Sequence, residues 1–101
     1  MLSIEPIPAF EDNYIWLLRD YSGVTAVIDP GDAKAVQITL ERHRMRLDYI
    51  INTHHHWDHV GGNMGLKRKF GCRIIGPAAD KLRIPGFNEG VSDGDTVMIG
   101  N

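Results

Sequence analysis

Residues 53–62 read Thr-His-His-His-Trp-Asp-His-Val-Gly-Gly, and they constrain the fold more than any other stretch. Four of the five histidines fall within residues 54–59, with a carboxylate between them. Imidazole and carboxylate groups are costly to bury unless paired or bound to a metal, so packing does not explain the cluster. An affinity tag would be terminal and would lack the aspartate; a merely solvated loop would need no such spacing. The pattern His-x-His-x-Asp-His supplies His54, His56, Asp58 and His59, two pairs of ligands for two neighbouring metal ions. Nitrogen and oxygen donors of this kind suit zinc first, with iron or manganese as alternatives.

The flanking residues predict where such a loop sits. Leu47 to Thr53 is rich in β-branched and aromatic residues and reads as a strand over 48–53. A chain leaving that strand extended puts residues i and i+2 on one side, so His54 and His56 can aim at one ion while His55 points away. Asp58 and His59 follow where the chain can turn, and are offered to a second ion. Gly61 and Gly62 are expected to supply backbone freedom for a swing into a helix starting near Asn63.

The remaining elements alternate. Strands are expected over 2–7, 13–19 and 24–28, with Pro6 and Pro8 placing the first at an edge. Asp32 is a fair N-cap for a helix over 33–45, whose apolar face carries Ala33, Val36 and Leu40, with Arg44 as a further candidate. A second helix over 63–70 and a short strand over 73–75 follow. Residues 77–95, with Pro77, Pro85, Gly86, Gly90 and Gly94, read as loop with one helical turn near 78–82. Residues 96–101 read as a strand cut off at its turn. The expected class is α/β, a mixed sheet with flanking helices.

Asp29, at the end of a strand and before Pro30-Gly31, has two readings. One is a turn residue with helix-capping duties. The other is an acceptor that orients a ligating histidine, because metal-bound imidazoles usually donate their second N–H to a carboxylate or carbonyl. Asn13, Tyr14, Trp16 and Trp57 read as packing or loop structure, with Trp57 able to wall the site.

Bulk properties exclude more than they assign. Apolar residues are 43% and charged residues 24% of 101, ordinary globular values for one domain or less. A net charge of −2 gives no reason to expect nucleic acid or an anionic membrane as partner. Arg42, Arg44 and Arg46, and Lys67, Arg68 and Lys69, read as solvated helix ends. The single Cys72 cannot make an internal disulfide and sits in an apolar run, which fits a reduced, buried thiol in a cytoplasmic protein. No run approaches a membrane span.

At this point the residues resemble the metallo-β-lactamase superfamily, whose signature is the His-x-His-x-Asp-His motif. Within it the chain is similar to the glyoxalase II branch, the hydroxyacylglutathione hydrolases. Ile7-Pro8-Ala9-Phe10, Asp12-Asn13-Tyr14-Ile15-Trp16, Ile28-Asp29-Pro30-Gly31-Asp32-Ala33, Gly76-Pro77 and Asp93-Gly94-Asp95-Thr96 carry that likeness beside the metal loop. The resemblance implies the N-terminal half of an αββα sandwich, with residues 1–101 the first part of a single domain. It implies that the C-terminal half, a helical substrate domain, the third histidine of each metal site and the glutathione-holding residues lie beyond residue 101. The substrate-binding residues are accordingly unknown from this sequence, and one sheet face is expected to lack its partner.

The implied chemistry is hydrolysis of a small-molecule glutathione thioester in methylglyoxal detoxification, S-D-lactoylglutathione and water giving glutathione and D-lactate. A water held between two divalent ions would attack the thioester carbonyl, with Asp58 as the catalytic residue that also hydrogen-bonds that water. Residues 1–101 alone are expected to be inactive. The same motif also serves a sulfur dioxygenase with one iron, a lactonase or a nuclease, and a non-catalytic metal-binding piece is the remaining alternative.

Overall fold

A computed structural model describes residues 3–9, 13–20, 22–53, 56–92 and 94–97. Six strands form one mixed sheet in the order of the chain: β1 (Ser3–Ala9), β2 (Asn13–Arg19), β3 (Thr25–Ile28), β4 (Tyr49–Ile51), β5 (Arg73–Pro77) and β6 (Glu89–Val91). The first three pair antiparallel, and β3 through β6 run parallel. Parallel neighbours need a crossover. The helix α1 (Ala33–Arg42) links β3 to β4, and the short α2 (Trp57–Val60) with α3 (Asn63–Phe70) links β4 to β5.

Period-2 alternation decides the two sheet faces. Ile7 pairs with Ile15, and Leu17, Val27, Ile50 and Ile74 line up across four strands. All are buried, in one cluster with Val36 and Leu40 of α1, Val60 of α2 and Leu66 of α3. The helices therefore cover this face. Removing a side chain such as Leu40 or Ile50, both fully buried, would cost about 2–5 kcal/mol in a core of this kind.

The opposite face carries a second apolar row, Trp16, Ile28, Ile51 and Ile75, also paired across four strands. Beyond it Ile4 and Tyr14 are 60% and 58% exposed, and Trp16 is 43% exposed. The rings of Tyr14 and Trp16 lie 6.1 Å apart, centroid to centroid. Within the row Ile75 is buried, and Ile28 and Ile51 are half-buried.

Helix ends follow local chemistry. Asp32 caps α1, its Oδ1 accepting from the backbone N–H of Lys34 at 3.0 Å and of Ala35 at 3.4 Å. The helix stops at Arg42 rather than at 45, because Arg44 turns into the left-handed region at φ 54°. Gly71, at φ 68°, ends α3 with its N–H on the Lys67 carbonyl at 2.8 Å.

Other boundaries also differ from expectation. β1 extends to Ala9 and lies at the sheet edge, where Pro6 and Pro8 are tolerated. β5 continues to Pro77, and a 3-10 turn spans Ala78–Asp80. β6 lies inside the stretch expected to be loop, because its residues Glu-Gly-Val carry little strand signal of their own. Residues 96 and 97 form no strand, and 98–101 lie outside the described residues.

Candidate metal centre

The described candidate ligands, His56, Asp58 and His59, follow the end of a parallel strand. Ligands in open α/β sheets bind outside the carboxyl ends of the strands, and here Asp29 follows β3 while residues 52–59 follow β4. The parallel register sets Ile28 beside Ile51, and the Asp29 N–H continues the ladder to the Ile51 carbonyl at 2.9 Å. This brings Asp29 next to the chain that carries the histidines.

Asp29 takes φ 54° there, a conformation that aspartate tolerates better than most residues. Its carboxylate accepts from both groups of Thr53, the N–H at 2.7 Å and the Oγ1–H at 2.6 Å. The same carboxylate lies 3.2 Å from Nδ1 of His59, with only 11% of the Asp29 side chain exposed. Asp29 does not cap α1; Asp32 does.

His59 Nε2, on the other side of the ring, lies 3.5 Å from Oδ2 of Asp58. His56 is the residue before α2 and keeps extended backbone, φ −62° and ψ 141°, with its carbonyl accepting from the N–H groups of His59 and Val60. α2 is a single helical turn that the sequence reading did not anticipate, and it brings Asp58 and His59 into the bend. His54 lies outside the described residues, as does His55. Among the described residues no group of three or more histidine, cysteine or acidic side chains gathers closely enough to hold an ion. Trp57 is 70% exposed beside the loop.

The glycines act by absence of a side chain. Gly61 and Gly62 have ordinary negative φ, −58° and −89°, so they supply no unusual backbone freedom. A Cβ on Gly62 would stand 2.3 Å from the Pro30 carbonyl oxygen and 2.8 Å from the Ala33 nitrogen; one on Gly61 would stand 2.8 Å from the Gly31 carbonyl oxygen. The loop end lies directly on the β3–α1 turn, and the Gly62 N–H donates to the Pro30 carbonyl at 2.8 Å.

Two residues at the neck of the loop went unread in the sequence. Asn52 and Asn63 are buried and hydrogen-bonded to each other, and the Asn52 amide also donates to the His59 carbonyl at 3.2 Å. Their only sequence signal is a polar amide at each end of the loop, where an apolar residue would satisfy the strand or helix pattern.

The donor set fits a divalent metal. It offers imidazole nitrogen and carboxylate oxygen, and Asp29 faces one ring nitrogen of His59 while Asp58 faces the other. That is the arrangement in which an outer carboxylate fixes a ligating imidazole.

The comparisons with known proteins agree with this architecture. The sequence profile of the metallo-beta-lactamase superfamily matches residues 9–96. A hydroxyacylglutathione hydrolase of Methylococcus capsulatus is 46% identical over all of this chain and 40% of its own length. One of Pseudomonas aeruginosa is 50% identical over 98% of this chain and 38% of its own length. The chain thus spans about 40% of the length of the curated relatives it matches. Among solved structures, a metallo-beta-lactamase of Cronobacter sakazakii superposes with a TM-score of 0.81, at 23% identity over 96% of this chain and 46% of that one. Profile and fold together establish that this chain belongs to the metallo-beta-lactamase superfamily.

Proposed function

We propose that this chain is the N-terminal part of a metal-dependent thioester hydrolase acting on a glutathione thioester, S-D-lactoylglutathione. The observation that carries the reading is the loop of residues 53–62, with the Asp29 carboxylate 3.2 Å from His59 Nδ1 at the strand ends. The name shared by the relatives, hydroxyacylglutathione hydrolase, supplies the substrate class.

In this reading His54 and His56 hold one ion, and Asp58 and His59 hold the other, with zinc favoured by the donor set. Bound divalent metal supplies polarisation of the thioester carbonyl and a water made acidic enough to react near neutral pH. The protein groups have separable duties. Asp29 holds the His59 ring in one orientation, so that Nε2 faces the site. In this reading Asp58 is the catalytic residue, its carboxylate accepting a hydrogen bond from the reacting water. Overall the water oxygen joins the acyl carbon, the C–S bond breaks, and the departing sulfur ends as the glutathione thiol, leaving D-lactate. No serine or cysteine nucleophile is needed. Cys72 is buried, and burial pushes its thiol up, partly offset by a backbone hydrogen bond and Lys67.

Residues 1–101 form the first part of a single longer domain in this proposal, with the remaining ligands and glutathione contacts supplied from outside them. A reduced, unpaired Cys72 fits a cytoplasmic setting. No helix among the described residues is long and apolar enough to cross a membrane.

The test is S-D-lactoylglutathione hydrolysis by the full-length protein, loaded with zinc, iron or manganese. Turnover should require metal. It should fall in His56→Ala and His59→Ala by at least the roughly 10–100-fold that loss of an outer partner causes at metal sites. Residues 1–101 alone should show little or no turnover. Chelator-resistant hydrolysis, or full activity in both variants, would refute the proposal.

A further inference from the structure

Three polar side chains among the described residues are buried, and two of them, Asn52 and Asn63, face each other. Asn63 Nδ2 donates to Asn52 Oδ1 at 2.7 Å and to the Pro85 carbonyl at 3.1 Å. Asn52 Nδ2 donates to the His59 carbonyl at 3.2 Å and to Asn63 Oδ1 at 3.4 Å. Each amide thus uses both of its N–H donors. The backbone is tied as well, with the Asn52 N–H on the Ile75 carbonyl at 2.8 Å.

The placement of the pair is what matters. Asn52 directly follows β4 and Asn63 opens α3, so the residues between them, 53–62, carry every candidate metal ligand. The pair closes the neck of that loop and holds the His59 backbone directly. Through Pro85 it also reaches the segment leading to β6, which Lys67 anchors separately by donating to the Gly86 carbonyl at 2.9 Å and to Asn88 Oδ1 at 2.8 Å. A fully satisfied buried polar network rigidifies its surroundings, whereas one that loses a member leaves costly unpaired groups. An apolar pair would fill the same space but could not hold the His59 carbonyl.

We infer that the Asn52–Asn63 amide pair is a positioning device for the metal loop, setting the relation of His56 to Asp58 and His59 before any ion arrives. This rests on the metal reading above. Asn52 and Asn63 touch neither metal nor substrate; they act through the His59 backbone and the closure of the loop.

The experiment uses the full-length protein and separates positioning from simple core stability. Asn52→Ala and Asn63→Ala are compared with Leu66→Ala, which removes a fully buried apolar side chain in α3 and keeps the Leu66 backbone N–H on the Gly62 carbonyl. Zinc affinity is measured by chelator competition, and amide hydrogen exchange is measured on metal-free protein. The two asparagine variants should bind zinc about 10–100-fold more weakly, as loss of an outer partner does elsewhere. Exchange in residues 53–62 should quicken while β3, β4 and β5 keep their protection, and Leu66→Ala should leave zinc affinity within a few-fold of the parent.

Unchanged loop exchange and zinc affinity in both asparagine variants would overturn the inference, as would an equal loss of affinity in Leu66→Ala. The unsubstituted protein carries the same test if the variants do not fold. The side-chain amide protons of Asn52 and Asn63 should exchange slowly before zinc is added, and protection that arises only with zinc would mean that the ion shapes the loop. Absence of zinc binding in the unsubstituted protein would instead overturn the metal reading itself.

Discussion

At the scale of single residues, the site depends on groups that lie beside the candidate ligands. Asp29 binds Thr53 through two hydrogen bonds and reaches His59 with the same carboxylate. Of its two sequence readings, the turn role stands in its φ of 54° and in the Gly31 N–H on its carbonyl at 2.9 Å, the capping duty falls to Asp32, and its carboxylate lies 3.2 Å from His59 Nδ1. Gly62 illustrates a signal that was legible while its cause was not. The glycine pair beside the histidines reads in sequence as backbone freedom, but the structure gives it ordinary φ and a close contact with the Pro30–Gly31 turn instead. That contact joins Gly61 and Gly62 to Pro30, Gly31 and Ala33, which are distant in the sequence, so no local pattern displays it. Gly62→Ala should therefore destabilise the protein by about 1–3 kcal/mol, the usual cost of overpacking. Thermal or denaturant unfolding measures it, and a neutral substitution would show that the turn can retreat.

At the scale of elements, strong periodicity was readable and short elements were not. β2 and α3 occupy the expected ranges, because Tyr14 to Leu18 is an unbroken run of aromatic and branched apolar residues and Leu66 and Phe70 share a helix face. α2 has four residues and β6 three, too few for a period to show. β6 exists because β5 offers it a parallel partner and Gly90 lets it lie against Ala78 and Phe87. Tertiary pairing rather than propensity makes this strand. The end of α1 was misplaced for a different reason. Arg44 adopts positive φ without being glycine, so the sequence carries no stop signal there. Its start was clear, since Asp32 accepts from two backbone donors. Asp32→Ala should cost about 0.5–2 kcal/mol, lowering the melting temperature by several degrees in a domain of this size. Calorimetry would show it, and an unshifted transition would mean that solvent replaces the cap fully.

At the scale of the whole molecule, the sheet has one face packed by helices and a second, apolar face whose β1–β2 end is exposed. Its helical side buries a continuous core from Ile7 to Ile84. Its other side presents Ile4, Tyr14 and Trp16 to solvent beside the row Ile28, Ile51 and Ile75. The family resemblance implies a second sheet packed on that face; the strand residues alone carry no such expectation. The described part of the candidate loop follows the carboxyl end of β4, tied by Asn52 and Asn63 at its neck and by Asp29 and the Pro30 turn beside it. The candidate ligand types are readable from the sequence. Their supports are not, because they come from three separate segments brought together only by folding.

The claim on which the rest depends is that this loop holds metal. The direct measurement is metal content and affinity of the full-length protein, purified with zinc, beside His56→Ala and His59→Ala. The account predicts bound divalent metal in the parent, removable by chelator and reduced in each variant while the fold persists. A parent that binds none, or variants that bind as much as the parent, would contradict it.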